Sequence, residues 1–236
     1  MTELGFRDDA YLRRCAATVT AADAAGIRLD RTPFYVRGGG QPGDSGVLEW
    51  TGGGRVEIVD TVKGAAADEV LHLPADGADL PAPGTEVTAI IDWDRRHRLM
   101  RMHSCMHLLS AVVEGAVTGG QVGADKGRLD FDIPEGGLDK AAITEALNAL
   151  IAADHPIAPR WVSTAELDAN PELVKTMSVA PPKTSGQVRL VEIAGVDLQA
   201  CGGTHVARCG EIGPVRVAKI ENKGRHNRRV SIVFAD

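Results

Sequence analysis

The chain has 236 residues, enough for one large or two modest domains with buried cores. Hydrophobic residues make up 44% and charged residues 25%, as in soluble globular proteins, and the 4% of aromatics leaves core filling to aliphatic side chains. The net charge of −6 argues against a broad basic face for nucleic acid, so any such contact requires a local patch.

Targeting and redox signals favour the cytoplasm. The first residues, MTELGFRDDA, contain no apolar leader segment, and no stretch of about 18 consecutive apolar residues follows. The cysteines are Cys15, Cys105, Cys201 and Cys209. We therefore expect a cytoplasmic protein whose thiols serve a metal rather than a disulfide framework.

Residues 1–90 are predicted to form a small β-barrel-like domain. Closely spaced strands without intervening helices are typical of a barrel or sandwich. Glycine and proline mark the turns between the strands. The segments with strand character are TVTAA, GIRLD, TPFYVR, GVLEW, RVEIVDTV, EVLHL and EVTAIID.

Residues 91–236 are predicted to form a second, α+β domain with a mainly antiparallel sheet. Asp92 can cap a helix over 93–117, in which apolar residues recur at helical spacing. Gly119 and Gly120 would end this helix.

Two further helices and several strands complete the second domain. A helix is predicted over 139–154, and Ser163 with Glu166 forms a capping box for a short helix. The remaining strands are predicted at 127–133, 157–162, 187–193, 196–200, 214–222 and 228–236.

Three histidines and one cysteine predict a zinc site. His103 and His107 lie four residues apart on the first helix, so both imidazoles project from one face. Such a pair alone is more often incidental than metal-binding. Cys201 and His205, in the sequence Cys-Gly-Gly-Thr-His, add a thiolate and an imidazole, which are preferred zinc ligands.

The number of ligands leaves the role of the zinc open. Four protein ligands are typical of a structural site, whereas a catalytic zinc usually keeps one position free. Either one ligand moves away, or the metal accepts a fifth ligand during reaction. In the structural alternative the zinc only pins the helix to the C-terminal sheet.

The two halves of this site, HSCMHLL and ACGGTHV, resemble the editing domain of alanyl-tRNA synthetase and, more closely, the free-standing alanyl-tRNA editing proteins of the AlaX family. The resemblance covers most of the chain. The matching segments are FYVRGGGQPGDSG at 34–46, DWDRRHRLMRMHSCMHLL at 92–109, RLVEIAGVDLQACGGTHV at 189–206 and EIGPVRVAKIENKGRHNRRV at 211–230.

The resemblance implies a fold and an activity. The fold is a barrel-like N-terminal domain joined to an editing domain, as in the intermediate-length members of the family. The activity is zinc-dependent hydrolysis of the aminoacyl ester of mischarged tRNA(Ala). Ser-tRNA(Ala) is the first candidate substrate and Gly-tRNA(Ala) the second.

The resemblance also suggests residues of the substrate pocket. The glycine motif makes Gly39, Gly40 and Gln41 candidates, although a tight turn between strands explains these residues equally well. Ser104 and Met106 lie between the two helical histidines. Met106 departs from the small hydroxyl residue that synthetase editing domains often carry there, so it either lines the pocket or packs beneath it.

The sequence contains no convincing protein nucleophile. Cys201 is expected to be a zinc ligand, and Ser104 has no identifiable base. We therefore expect attack by a zinc-bound water, whose pKa can approach about 7. The possible general bases Asp125, Asp197 and Glu192 cannot be ranked without geometry.

A basic segment near the C-terminus is the candidate contact for tRNA phosphates. The alternative is a solvated hairpin, which is the commoner explanation of a charge run. The predicted tRNA-binding residues are Lys219, Lys223, Arg225, Arg228 and Arg229, with Arg216 nearby and Glu221 among them.

Three functional hypotheses follow. The first is a zinc-dependent deacylase acting on mischarged tRNA(Ala). The second is a tRNA-binding module with a structural zinc and no turnover. The third is a zinc hydrolase of free aminoacyl esters, against which the basic hairpin and the breadth of the resemblance argue.

Overall fold

The computed structural model describes residues 2–66, 69–133, 137–170, 183–184 and 186–235. The chain divides into two compact units, Met1–His97 and Arg98–Asp236. Strand pairing is antiparallel throughout the described residues, apart from one short parallel pair, β1 with β4. The strands of the first unit are β1 (Glu3–Leu4), β2 (Arg14–Asp23), β3 (Gly26–Leu29), β4 (Arg31–Thr32), β5 (Gly46–Trp50), β6 (Gly54–Lys63), β7 (Val70–Pro74) and β8 (Glu86–Ile91).

The first unit contains a closed barrel in the strand order β2-β3-β7-β6-β5-β8. Its interior is aliphatic, as the composition requires, and Ile27, Leu48 and Ile58 are completely buried there. Side chains along β5 and β8 alternate between the interior and the outside, which is the pattern of a strand with one buried face. The barrel predicted from the spacing of the strands is confirmed.

The segment TPFYVR is not a strand beyond Thr32, and that prediction is wrong. Side chains accept the backbone N–H groups of Phe34 and Tyr35, while the Arg37 N–H donates to the Thr61 carbonyl on β6 at 2.9 Å. The Phe34 N–H donates to Thr32 Oγ1 at 3.1 Å, and the Tyr35 N–H donates to Asp44 Oδ2 at 2.7 Å. Phe34 and Tyr35 are buried, as their apolar side chains suggested. They nevertheless lie outside regular secondary structure.

A buried ion pair holds this irregular segment. Arg96 is fully buried, and its Nε donates to Asp44 Oδ2 at 2.8 Å. The same guanidinium donates to the carbonyl oxygens of Pro33 at 2.7 Å and Ala10 at 3.0 Å. A buried charge is tolerated only when it is paired and hydrogen-bonded, and Arg96 meets both conditions.

The second unit contains two antiparallel sheets. One has the order β15-β16-β10-β9, and in the other β13 pairs with β11, β12 and β14. The elements are α1 (Trp93–Val112), which begins in the first unit, and α2 (Lys140–Ala152), α3 (Thr164–Ala169), β9 (Ala116–Gln121), β10 (Lys126–Asp132), β11 (Ile157–Ser163), β12 (Lys183–Thr184), β13 (Gln187–Ile193), β14 (Asp197–Ala200), β15 (Val215–Asn222) and β16 (Asn227–Phe234).

The predicted helix starts are confirmed. The Arg95 N–H donates to Asp92 Oδ1 at 3.1 Å. Asp139 accepts hydrogen bonds from two backbone N–H groups at the start of α2, and Ser163 accepts one at the start of α3. These side chains satisfy N–H groups that have no partner within the helix.

The predicted end of α1 is wrong. The helix ends at Val112, and Gly119 and Gly120 belong to β9. The chain instead turns at Gly115, whose φ of 152° is rarely accessible to other residues. A Cβ at Gly120 would lie 2.9 Å from a Leu129 methyl, so the absence of a side chain there permits close packing on β10.

Residues 99–100 and 102–109 of α1 are buried on every side of the helix. No helix in the described part of the chain is long and apolar enough to cross a membrane.

His72 predicts a pH-dependent contribution to stability. Its Nδ1 lies 3.0 Å from the Ile27 carbonyl and its Nε2 lies 2.8 Å from Thr32 Oγ1, and burial lowers its pKa to about 4. Between pH 6.5 and 4 the unfolded chain binds a proton that the folded chain does not, so stability falls as the pH falls through this range. We expect His72 to contribute up to about 3 kcal/mol of this loss.

Urea unfolding of wild type and His72→Gln at several pH values tests this. The variant should be less stable at pH 7, and the difference should shrink toward pH 4. The exposed His226→Gln is the matched control and should show no such convergence. A constant difference between wild type and His72→Gln over this range would contradict the assignment.

Candidate metal centre

Helix α1 carries two histidines on one face. His103 and His107 are one turn apart, and their ring centroids are separated by 5.4 Å. Their exposed fractions are only 8% and 6%. Because the helix is buried around both residues, their imidazoles face protein groups rather than bulk solvent.

The segment after β14 supplies the cysteine and the third histidine. The Cys201 N–H donates to the Arg189 carbonyl at 3.1 Å, which continues the pairing of β13 with β14. The Arg189 guanidinium donates to the carbonyl oxygens of Cys201 at 2.9 Å and Gly203 at 3.1 Å. These bonds fix the turn that places Cys201 and His205 side by side.

The four side chains form one cluster. Their possible ligand atoms lie within 4.8 Å of one another. Cys201 Sγ is 3.3 Å from His205 Nε2 and 3.6 Å from His103 Nε2. Zn–S and Zn–N bonds of about 2.3 and 2.0 Å at a tetrahedral angle separate sulfur and nitrogen by about 3.5 Å. The donor types and their spacing fit such an ion, and the cluster could hold one.

Outer hydrogen bonds orient His107. Its Nδ1 lies 3.1 Å from Asp197 Oδ2, which leaves Nε2 directed at the cluster. Gln199 Nε2 donates to the same Asp197 oxygen at 2.6 Å and to Ser110 Oγ at 2.9 Å. A carboxylate behind a metal-binding histidine sets its tautomer and increases its basicity as a ligand.

Ser104 lies behind His205, as Asp197 lies behind His107. Its Oγ lies 3.3 Å from His205 Nδ1 and accepts the Val206 N–H at 3.2 Å. Ser104 is fully buried. In this structure the residue contacts the back of a candidate ligand, while its assignment to the substrate pocket remains a prediction.

Electrostatics at the cluster favour the thiolate. Burial opposes the charge, but the imidazoles of His103 and His205 lower the pKa of Cys201 well below its ordinary value. Burial lowers the pKa of His205 to about 3. Burial also acts to lower the pKa of His107, but hydrogen bonds with Asp197 and Cys201 outweigh it and raise this pKa to about 9. Protons therefore compete with a metal ion for these four side chains. The affinity for the metal should fall as the pH falls.

Met106 lies on a neighbouring face of α1 and packs on β10. It is 5% exposed. A Cβ at Gly127 would lie 2.8 Å from the sulfur atoms of both Met106 and Met102. A side chain at position 127 would therefore displace both methionines from their present packing. Of the two roles considered for Met106, these contacts favour packing.

The glycine motif forms a tight turn in the first unit. Gly39 and Gly40 have φ values of 55° and 81°, and backbone hydrogen bonds in both directions join Gly38 to Gln41. Consecutive residues with positive φ are typical of a two-residue hairpin turn. Gln41 is 1% exposed, and Tyr35 Oη donates to the Gly38 carbonyl at 2.9 Å.

The basic segment lies on the β15–β16 hairpin, and acids neutralise part of it. Lys219 and Lys223 both contact Glu221, at 3.0 and 3.3 Å. Arg229 donates to both oxygens of Asp130 on the adjacent strand, at 2.7 and 2.8 Å.

The other two predicted phosphate contacts are Arg225 in the turn of this hairpin and Arg228 at the start of β16. Arg228 donates to backbone carbonyls of the turn. Lys223 and Arg225 are exposed at this turn, and Lys219 and Arg216 are exposed along β15.

The three candidate general bases lie at different distances from the cluster, and only one of them contacts it. Asp197 contacts the cluster through His107. Asp125 pairs with Arg98 at 2.7 Å and its side chain is 84% exposed. Glu192 is partly exposed on β13, and its side chain projects to the opposite face of the sheet from Cys201.

Sequence reasoning missed Arg189, Gln199 and Ser110. A usable signal existed for Gln199, because Asp197, Gln199 and Cys201 alternate along β14 and its extension and therefore share a face. No local pattern marks Arg189, whose role depends on the pairing of β13 with β14.

Comparisons with known proteins identify the family. The chain is 38% identical to the alanyl-tRNA editing protein AlaX-M of Methanosarcina acetivorans, over the whole length of both chains. The chain belongs to the AlaX-M family. The AlaX-M protein of Saccharolobus solfataricus is 33% identical over 98% of each chain. The alanine–tRNA ligase of Pyrobaculum aerophilum is 32% identical over 92% of this chain and 25% of the ligase.

Two family models match separate parts of the chain. Residues 188–231 match the second additional domain of threonyl and alanyl tRNA synthetases, a region that includes Cys201 and His205. Residues 10–95 match the class II (A) tRNA synthetases. The resemblance seen in the sequence motifs is thus confirmed as family membership.

If the cluster holds a metal ion, Asp197→Asn should weaken its binding by about 10- to 100-fold, the usual cost of losing such an outer partner, and zinc is the ion used for the test. Asparagine loses the negative charge that supports His107. Competition against a chromophoric chelator measures the affinity, and Asp125→Asn removes an exposed carboxylate as the control. Equal zinc affinity in wild type and Asp197→Asn would show that this carboxylate does not support the site.

Proposed function

We propose that this protein hydrolyses the aminoacyl ester of mischarged tRNA(Ala), with Ser-tRNA(Ala) as the first substrate and Gly-tRNA(Ala) as the second. The observation that carries the proposal is the three-histidine, one-cysteine cluster in a chain that aligns over its full length with alanyl-tRNA editing proteins. The identity of the family supports tRNA(Ala) as the partner.

Zinc is the metal that we propose for the cluster, held by His103, His107, Cys201 and His205. Imidazole and thiolate donors in this combination are typical of zinc sites. When bound, zinc would supply Lewis acidity beside the ester carbonyl. The three histidines are buried and Cys201 is partly exposed, so a substrate would approach from the side of the cysteine.

The chain's own residues support direct attack by water. Cys201 is occupied within the cluster, and Ser104 is buried behind His205. Neither side chain is placed as a free nucleophile. Asp197 keeps His107 oriented, so we assign it a positioning role rather than that of a base acting on water.

The pocket and the phosphate contacts are part of the proposal. We assign Gly39, Gly40 and Gln41 to the substrate pocket, Ser104 to its support behind His205, and Met106 to the layer packed beneath it. The exposed turn of the β15–β16 hairpin supports a contact with tRNA phosphates. The residues assigned to this contact are Lys219, Lys223, Arg225, Arg228 and Arg229.

The complete set of four protein donors favours a second candidate, a tRNA-binding module with a structural zinc. This module would bind tRNA(Ala) and hold zinc without releasing an amino acid.

Deacylation of charged tRNA(Ala) distinguishes the two candidates. The protein should release serine or glycine rapidly and leave Ala-tRNA(Ala) intact, and a zinc chelator should stop the release. His103→Ala should reduce the rate to that of spontaneous ester hydrolysis, because the cluster loses a donor. His97→Ala, on the same helix but stacked on Trp93 and outside the cluster, is the matched control and should retain activity. If the protein binds zinc and tRNA but releases no amino acid, the second candidate, the tRNA-binding module, is the correct one.

The double substitution Lys223→Ala and Arg225→Ala should weaken tRNA binding and make it less dependent on salt. Each lost phosphate contact should reduce the slope of log affinity against log salt by about 0.7 to 0.9. Titration at several salt concentrations measures this slope, and Arg55→Ala removes an exposed arginine of β6 as the control. An unchanged slope would place the phosphate contacts elsewhere.

A further inference from the structure

One row of residues crosses the sheet from the histidine–cysteine cluster to β11, the edge strand among the residues that the structure describes. Trp161 on β11 pairs with Arg189 on β13. Arg189 in turn stands opposite Cys201, whose N–H donates to the Arg189 carbonyl at 3.1 Å. Directly paired residues of neighbouring strands project to the same face. Trp161, Arg189 and Cys201 therefore share one face of this sheet.

That face is the one that contacts the candidate ligands. Asp197 and Gln199 alternate with Cys201 along the same strand and its extension, and Asp197 contacts His107. Neighbouring strands lie about 4.8 Å apart, so the Trp161 backbone is about 10 Å from that of Cys201. The edge of the sheet thus presents an aromatic side chain near the cluster.

Trp161 is unusually exposed for its type. Its exposed fraction is 39%, and the other large exposed hydrophobic residues of the described chain, Val59 and Leu80, belong to the first unit. Tryptophan normally buries its large apolar surface. An exposed indole on the same face as a candidate active site suggests that it contacts the substrate.

We propose that Trp161 is the stacking platform for the terminal adenine base of the tRNA substrate. This inference rests on the proposed function. An ester held at the cluster is attached to the terminal ribose, so the adenine base lies one ribose away from it. Aromatic side chains bind unpaired bases by stacking, since each base offers a π-face.

The strand itself argues against a protein partner at this edge. Pro159 is exposed on β11, two residues before Trp161 on the same face. Proline has no N–H to donate and is characteristic of edge strands that do not extend a sheet. Pairing of β11 with a second copy of the chain is therefore disfavoured, whereas a stacked base needs no backbone hydrogen bonds.

Affinity for uncharged tRNA(Ala) tests the proposal without requiring hydrolysis. The probes are the intact tRNA and the same tRNA lacking its terminal adenosine. Trp161→Ala should weaken binding of the intact tRNA by about 5- to 150-fold. It should leave affinity for the shortened tRNA unchanged. Trp161→Phe should retain most of the affinity, because phenylalanine still stacks, and Leu80→Ala is the control for loss of an exposed apolar side chain.

Two outcomes would overturn the assignment. One is equal affinity of wild type and Trp161→Ala for intact tRNA. The other is an equal loss for both tRNAs, which would place Trp161 against another part of the tRNA. Either result leaves the proposed hydrolysis standing if the wild type still releases serine, and a wild type that binds as expected but releases no amino acid refutes only the hydrolysis.

Discussion

The cluster depends on one constraint, which is that a helix and a turn about a hundred residues apart in sequence must meet inside the second unit. The hydrogen bond between His107 and Asp197, at 3.1 Å, joins these two parts directly. Close packing of α1 on β10, where Gly127 leaves room for Met106, holds the helix at the required depth. Because both partners of the hydrogen bond are buried, losing either would leave a polar group without compensation.

The geometry of a β-strand gives the cluster its outer support. Alternation along β14 and its extension directs Asp197, Gln199 and Cys201 to one face, so the strand that ends at the cysteine also supports a histidine of the helix. Arg189 holds the following turn by its carbonyl oxygens. The pairing of β11 with β13 places Trp161 beside Arg189, in the same row across the sheet as Cys201. The proposed metal ligation and the proposed base stacking therefore depend on the same strand register.

Features that depend on short-range patterns could be predicted from the sequence. The i, i+4 spacing marked His103 and His107, and side-chain oxygens marked the helix starts at Asp139 and Ser163. Closely spaced strands predicted the barrel. These features follow from the chemistry of a few neighbouring residues.

Features that depend on tertiary structure could not be predicted in this way. Phe34 and Tyr35 have strand-like side chains, yet the buried Arg96–Asp44 pair holds their segment in an irregular conformation. Gly119 and Gly120 suggested a helix end but lie in β9, where a Cβ at Gly120 would lie 2.9 Å from a Leu129 methyl and 3.4 Å from the Met106 methyl of α1. The assignments of Gly39, Gly40 and Gln41 to the pocket remain predictions, because the two backbone hydrogen bonds that close this turn account for its conformation without reference to a substrate.

X-ray absorption at the zinc edge of the purified protein reports whether the three histidines and Cys201 bind zinc. We expect about one zinc per chain, with one sulfur ligand at about 2.3 Å and nitrogen ligands at about 2.0 to 2.1 Å. Cys201→Ser should remove the sulfur signal, while Cys105→Ser should leave it unchanged. A protein that binds no zinc, or one whose sulfur signal survives Cys201→Ser, would contradict the claim that these four residues form the metal centre.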